Sequence, residues 1–170
     1  MPQEDQGVIM VNIATSPGST LEETNKVMNK LEDILKKTPE IEHYSRVAGY
    51  GFLSGQGTSY GLIVIRLRDW SERKGNEHTS DAVVARLNAQ FYQIKDAQIF
   101  SFQPGMIPGY GMGNSIELNL QDRTGGDMTT FYNSVMQFLG ALNQHPEVAM
   151  AYTSYAMNFP QISVDVDAAK

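Results

Sequence analysis

The chain holds 170 residues, with 13 Lys plus Arg against 19 Asp plus Glu, and it has no cysteine. A net charge of -6 without any basic run speaks against a nucleic-acid partner, which needs a concentrated Lys/Arg surface. The missing thiols exclude disulfide frameworks, thiolate zinc sites and cysteine nucleophiles, while 41% hydrophobic residues are enough to bury a core.

Met1-Pro2-Gln3-Glu4-Asp5-Gln6-Gly7 has neither a positive region nor an apolar stretch, so it does not read as a secretion signal. No apolar run approaches the roughly 20 residues that span a bilayer, and the chain as it stands is expected to be soluble. Val8 to Thr15 alternates apolar and polar residues, with Ile9, Val11 and Ile13 on one face, and predicts a strand. Ser16-Pro17-Gly18-Ser19 breaks it. Ser19 or Thr20 then caps a helix, Glu22 or Glu23 is placed for a capping box, and Leu21, Val27, Met28, Leu31, Ile34 and Leu35 form its apolar stripe up to Pro39. Ile41 to Ala48 and Tyr60 to Arg68 predict a second and a third strand, about Ser80 to Ile94 a second helix, and about Ala97 to Phe102 a fourth strand. The order β-α-β-β-α-β is that of a ferredoxin-like module in the α+β class.

The pattern then restarts. Ser115 to Gln121 predicts a strand, Met128, Phe131, Val135, Phe138 and Leu142 stripe a third helix, and further strands are expected near Val148 to Thr153 and Gln161 to Asp167. Ile9, Val11 and Ile13 fall on Ile116, Leu118 and Leu120, and Met28, Leu31, Leu35 and Pro39 fall at the same offset on Val135, Phe138, Leu142 and Pro146. One constant offset through strand, helix and stop signal marks an internal repeat. The second copy has only β-α-β-β, so the expectation is one complete module followed by an incomplete one in a cut chain, with an open strand edge suited to association.

Signals for catalysis are weak. His43, His78 and His145 lie in different segments without a partner at ligand spacing and read as solvated surface histidines. Asp165-Val166-Asp167 reads as carboxylates on an exposed strand face, and no Gly-x-Ser-x-Gly elbow occurs. Gly109-Tyr110-Gly111-Met112-Gly113-Asn114 has the look of a dinucleotide loop, but a strand follows it where a helix N-terminus is required. Met106 and Met112 lack a third soft ligand for Cu(I) and read as adaptable apolar contacts. The remaining glycine-rich segment, Gly49 to Gly61, sets Tyr50 and Phe52 among glycines in a connection longer than strand pairing needs. It reads either as a plain connector or as a mobile flap that presents its aromatics to an apolar ligand.

Pro2-Gln3-Glu4-Asp5-Gln6-Gly7, Gly49-Tyr50-Gly51-Phe52, Leu67-Arg68-Asp69-Trp70-Ser71-Glu72-Arg73, Leu118-Asn119-Leu120-Gln121-Asp122, Pro146-Glu147 and Val164-Asp165-Val166-Asp167-Ala168-Ala169-Lys170 together resemble the inner-membrane transporters of resistance–nodulation–division (RND) efflux pumps, in their hydrophobe/amphiphile multidrug branch. The resemblance implies the periplasmic part of a bacterial inner-membrane protein, with residues 1–106 as the first C-terminal porter subdomain and 107–170 as the leading part of the second. It also implies hydrophobic or amphiphilic drugs as ligands, a homotrimeric proton-driven pump, a periplasmic adaptor and an outer-membrane channel as partners, and no catalytic residue, metal or cofactor.

Residue by residue, the resemblance makes Gly49, Gly51, Gly55, Gly57 and Gly61 parts of a switch loop carrying Tyr50 and Phe52. It places Val47 and Val64 at an inner pocket, Phe100, Phe102 and Met106 along an outer one, Met10 beside that cleft, and Thr153 near a position often held by arginine. Tyr50 stands where phenylalanine is commoner, Ser45 where an aromatic is common, and Leu53 looks like an insertion. Two other readings compete: a soluble ferredoxin-like small-molecule-binding module or enzyme, and a metal-efflux relative of the same family.

Overall fold

The computed structural model describes residues 5–52, 55–105, 116, 118–148, 151–153, 155 and 157. The chain divides into two compact units, Met1–Ile116 and Glu117–Lys170.

The first unit is α+β, with β1 (Val8–Thr15), α1 (Leu21–Leu35), β2 (Ile41–Gly51), β3 (Gly55–Leu67), a short 3-10 turn at Asn76–His78, α2 (Ser80–Phe91) and β4 (Ala97–Phe102). Its four strands form one antiparallel sheet in the order β2-β3-β1-β4, so both helices act as crossovers of a ferredoxin-like βαββαβ module. The period of two sends Ile9, Val11 and Ile13 of β1, with Ile63 and Ile65 of β3, toward the helices. There they meet Val27, Met28, Leu31 and Leu35 of α1 and Val83, Leu87 and Phe91 of α2 in a single apolar core.

Local chemistry fixes the helices on that face. Thr20 caps α1 with a capping box: its hydroxyl accepts from the Glu23 N–H (3.2 Å), and its own N–H donates to Glu23 Oε2 (2.8 Å). Asn88 of α2 grips β4, its Oδ1 accepting from the Ser101 N–H at 2.6 Å and its Nδ2 donating to Ser101 O at 3.0 Å. Asp5 takes two bonds from the buried Arg73 guanidinium (3.0 and 3.1 Å) and one from the Ser80 N–H (3.0 Å), tying the start of β1 to the start of α2. His78 departs from the expected solvated role, since its Nδ1 lies 2.7 Å from Oε1 of the buried Glu40, which also pairs with Arg86.

The long connector expected at Gly49–Gly61 is not a loop. The β2–β3 ladder runs past Ala48↔Gly61 to Tyr50↔Gln56 and Gly51↔Gly55, with a bulge between Ala48 and Tyr50. Ladder bonds join backbone groups, so a glycine-rich segment pairs as well as any other once its turns are met. Gly49 (φ 85°) and Gly55 (φ 73°) supply the left-handed backbone at the bulge and after the tip. Gly61 lies within the sheet, opposite Ile13 and Ala48, where a Cβ would stand 3.1 Å from Met28 Sδ. Its lack of a side chain lets α1 settle on the sheet. The second helix ends at Phe91, earlier than the predicted Ile94.

In the second unit α3 (Met128–Asn143) starts at the predicted Met128, capped by Asp127, which accepts from the Thr130 N–H at 3.1 Å. The strands expected around it do not form among the described residues: 116, 118–121 and 151–153 are irregular, and Gln161–Asp167 lies outside the described residues. A strand exists only by pairing, and here Ala151 bonds instead to the Asn143 side chain, its N–H to Oδ1 (2.8 Å) and its C=O from Nδ2 (2.9 Å). Leu118 and Leu120 remain exposed. No helix among the described residues is long and apolar enough to cross a membrane.

Candidate functional site

The face of the sheet turned away from the helices carries the even-numbered residues of β1 and their ladder partners. Met10 stands between Val64 of β3 and Phe102 of β4, and Asn12 between Leu62 and Phe100. Val47 of β2 pairs with Leu62 on the same face and is 47% exposed. Val64, Met10 and Phe102 therefore form a half-buried apolar row across three strands, with Phe100 beside it. The rings of Phe100 and Phe102 lie 5.7 Å apart and tilted by 33°.

Beyond the bulge the β2–β3 hairpin curls over this face. A Cβ on Gly51 would stand 3.2 Å from Tyr60 Cβ and 3.5 Å from Asn12 Oδ1, so the tip crosses β3 and reaches β1. Phe52 goes further and meets Phe102 of the far edge strand, centroids 5.5 Å apart and planes tilted by 51°. A Cβ on Gly57 would clash with the Tyr60 ring at 2.9 Å, so that ring packs flat on the hairpin backbone only because residue 57 is glycine. Phe52 and Tyr50 are still 40% and 39% exposed, which leaves their rings partly open to an incoming apolar molecule.

The base of the hairpin is fixed. Thr15 Oγ1 donates to Ser59 O (2.9 Å), Thr24 Oγ1 to Thr58 O (2.8 Å) and Thr58 Oγ1 to Ser19 O (2.8 Å). Each bond joins the foot of the hairpin to β1 or to the N-terminal end of α1; beyond the bulge, Gly51 and Phe52 approach the side chains of Tyr60, Asn12 and Phe102.

Of the residues singled out by sequence, Met10, Val47, Phe52, Val64, Phe100 and Phe102 meet on or over this one face, while Tyr50, Gly49, Gly51, Gly55 and Gly57 belong to the hairpin. Gly61 sits on the helix side. Thr153 belongs to the second unit, where its hydroxyl accepts from the Tyr155 N–H at 3.2 Å. Met106, Met112, the Gly109–Asn114 segment and Asp165-Val166-Asp167 lie outside the described residues. Sequence reading missed Asn12, Tyr60 and Leu62. The signal was present for Asn12, two residues after Met10 in an alternating strand and so on the same face. Among the described residues no three His, Cys, Asp or Glu side chains group as metal ligands would.

The model of the AcrB/AcrD/AcrF family matches residues 1–170. The solvent-resistant pump membrane transporter SrpB of Pseudomonas putida is 31% identical over 169 residues, 98% of this chain and 16% of that protein. The multidrug resistance protein MdtF of Escherichia coli K12 is 30% identical over 173 residues, 100% of this chain and 17% of that protein. The multidrug export protein AcrF of the same strain is 31% identical over 148 residues, 86% of this chain and 14% of that protein. The chain thus spans well under a fifth of the length of the curated relatives it matches, and these relatives are transporters rather than enzymes. A match along the whole chain, together with the α+β module, identifies the chain as a member of the AcrB/AcrD/AcrF family of RND multidrug efflux transporters.

Proposed function

We propose that the chain is the drug-binding and conduit portion of a proton-driven RND efflux pump, taking apolar or amphiphilic compounds on the open face of the first unit beneath the β2–β3 hairpin. One observation carries this reading: a hairpin anchored at its base and bulged above it reaches over Tyr60 and Asn12 to the far strand, where Phe52 meets Phe102 at the end of the Val64–Met10–Phe102 row. Aromatic and methionine side chains re-pack around varied shapes and impose few directional bonds, which suits a carrier of many compounds. Lifting the tip opens the row and lowering it closes it. A ligand shifts that balance only by its different affinity for the two positions.

In this reading Gly49, Gly51, Gly55 and Gly57 serve the moving tip, and Met106 and Thr153 extend the path. The two units are the first C-terminal porter subdomain and the leading part of the second, placed in the periplasm. The working pump is a homotrimer joined to an adaptor and an outer-membrane channel. The names of the relatives support transport of solvents and drugs. The test is binding of N-phenyl-1-naphthylamine, whose emission rises in apolar surroundings, to the chain and to Phe52→Ala. The substitution is expected to weaken affinity about five-fold, as loss of one aromatic contact implies, while far-UV circular dichroism stays unchanged. No binding by the unsubstituted chain, or equal affinity in both, overturns the reading.

A further inference from the structure

Asn12 is only 3% exposed, and its side-chain Oδ1 has no hydrogen-bond partner. It lies in the middle of the open face, in register with Leu62 and Phe100, neither of which offers a side-chain donor. What covers it is the hairpin tip, for the Cβ position of Gly51 stands 3.5 Å from that oxygen. A buried carbonyl oxygen is nearly always matched by a donor, because leaving it unmatched forfeits the bonds it made with water. With the tip down, Asn12 therefore keeps an unfilled acceptor under a cover that can lift.

We propose that Asn12 is the polar recognition point of this face, selecting aromatic ligands that carry an O–H or N–H donor over equally apolar ligands that carry none. The inference rests on the reading of this face as the binding surface, and it names the class of compound the surface prefers. A donor-bearing ligand beneath the tip supplies Oδ1 with the partner that the closed hairpin withholds. A ligand without a donor fills the same apolar row and leaves the oxygen unmatched, so the difference between the two appears as affinity. The apolar contacts with Met10, Val64 and Phe102 are common to both ligands and cancel.

A matched pair of probes isolates the effect. 2-Naphthol and 2-methoxynaphthalene share one ring system, and methylation removes the donor while keeping the oxygen. Fluorescence titration of the chain is expected to show 2-naphthol bound about five- to ten-fold more tightly, the value of one hydrogen bond to a buried neutral acceptor. In Asn12→Leu, which removes the unmatched oxygen, the ratio falls to about one and 2-methoxynaphthalene binds at least as well as before. Asn12→Ala repeats the loss of preference without added bulk, and circular dichroism verifies the fold of both variants. Equal affinities of the unsubstituted chain for the two probes overturn the role of Asn12 and leave the binding face standing. A preference that survives both substitutions does the same. Binding of neither probe overturns the face and the inference together.

Discussion

Ile9, Val11 and Ile13 point to the helices and are wholly buried, while Met10 and Asn12, interleaved with them in the same strand, lie on the opposite face, Asn12 beside Gly51 of the hairpin. On the helix side apolar side chains interlock, and Asn88 bonds to both backbone groups of Ser101. The other side is assembled from a methionine, a few aromatics, an unmatched amide oxygen and a strip of hairpin that meets the far strand through the Phe52–Phe102 pair. The first arrangement has one low-energy packing, as close-packed interiors do. The second has a row of adaptable side chains that another molecule could occupy. Alternation along a strand thus lets one sheet keep its packed core and the proposed binding surface on separate sets of residues.

That separation is open to attack from either side. The largest effect is expected from Phe91→Ala, which empties a fully buried site between α2 and the sheet and lowers unfolding free energy by about 3–5 kcal/mol. Urea titration followed by circular dichroism measures it, and affinity for N-phenyl-1-naphthylamine at low urea should stay within about two-fold, since the residues of the other face are unchanged. A parallel collapse of affinity in the folded variant would merge the two faces into one. Gly61→Val comes next. Its added carbon meets Met28 Sδ at 3.1 Å and Ile13 Cδ1 at 3.4 Å, and the overpacking costs about 1–3 kcal/mol in the same assay. Unchanged stability with weakened probe binding would move Gly61 to the hairpin's account and restore the role its sequence context suggested.

The smallest effect in neutral solution is electrostatic, because it emerges only in acid. Burial alone would raise the Asp5 carboxyl, but bonds from Arg73, Ser80 and Gly7 outweigh it and hold the group well below the usual carboxylate range. Glu40 follows the same pattern, with burial opposed by Arg86 and His78. A carboxyl depressed in the folded state contributes stability that is full above its unfolded value, near 4, and is lost as pH falls through the folded one. Thermal midpoints should therefore hold from about pH 7 to 5 and drop below about pH 4, with a shallower acid decline in Asp5→Asn. An equally steep decline in the variant would remove Asp5 from the helix-side framework.

Periodicity made the helix face legible. The strand at Val8–Thr15, the Thr20–Glu23 capping box, the strand at Ala97–Phe102 and the start of α3 at Met128 all appear where side-chain spacing puts them. The hairpin reads from sequence as a connector or a flap because glycine leaves no period to count, although its backbone pairs regardless. That Phe52 would lie on Phe102 rests on a bulge and a curl, which no local pattern encodes. Asn12 is hidden for a related reason: alternation places it on the outward face, and its burial between Leu62 and Phe100 beside Gly51 of the hairpin is not a local pattern. Around α3 the strand patterns were visible at Ile116, Leu118 and Leu120, yet pairing depends on a neighbour that the pattern does not specify.

The bulge between Ala48 and Tyr50 has one more effect, on the timing of events. Below it, β3 is bonded on both sides, to β2 and to β1; above it, the last rungs of the hairpin join only each other. Such a stretch is expected to open locally while the four-stranded ladder stays shut. Amide protons of the tip should exchange with solvent long before those of Ile63 or Val11, and the proposed passage of compounds across the face would then follow the tip's detachment rather than the unfolding of the sheet.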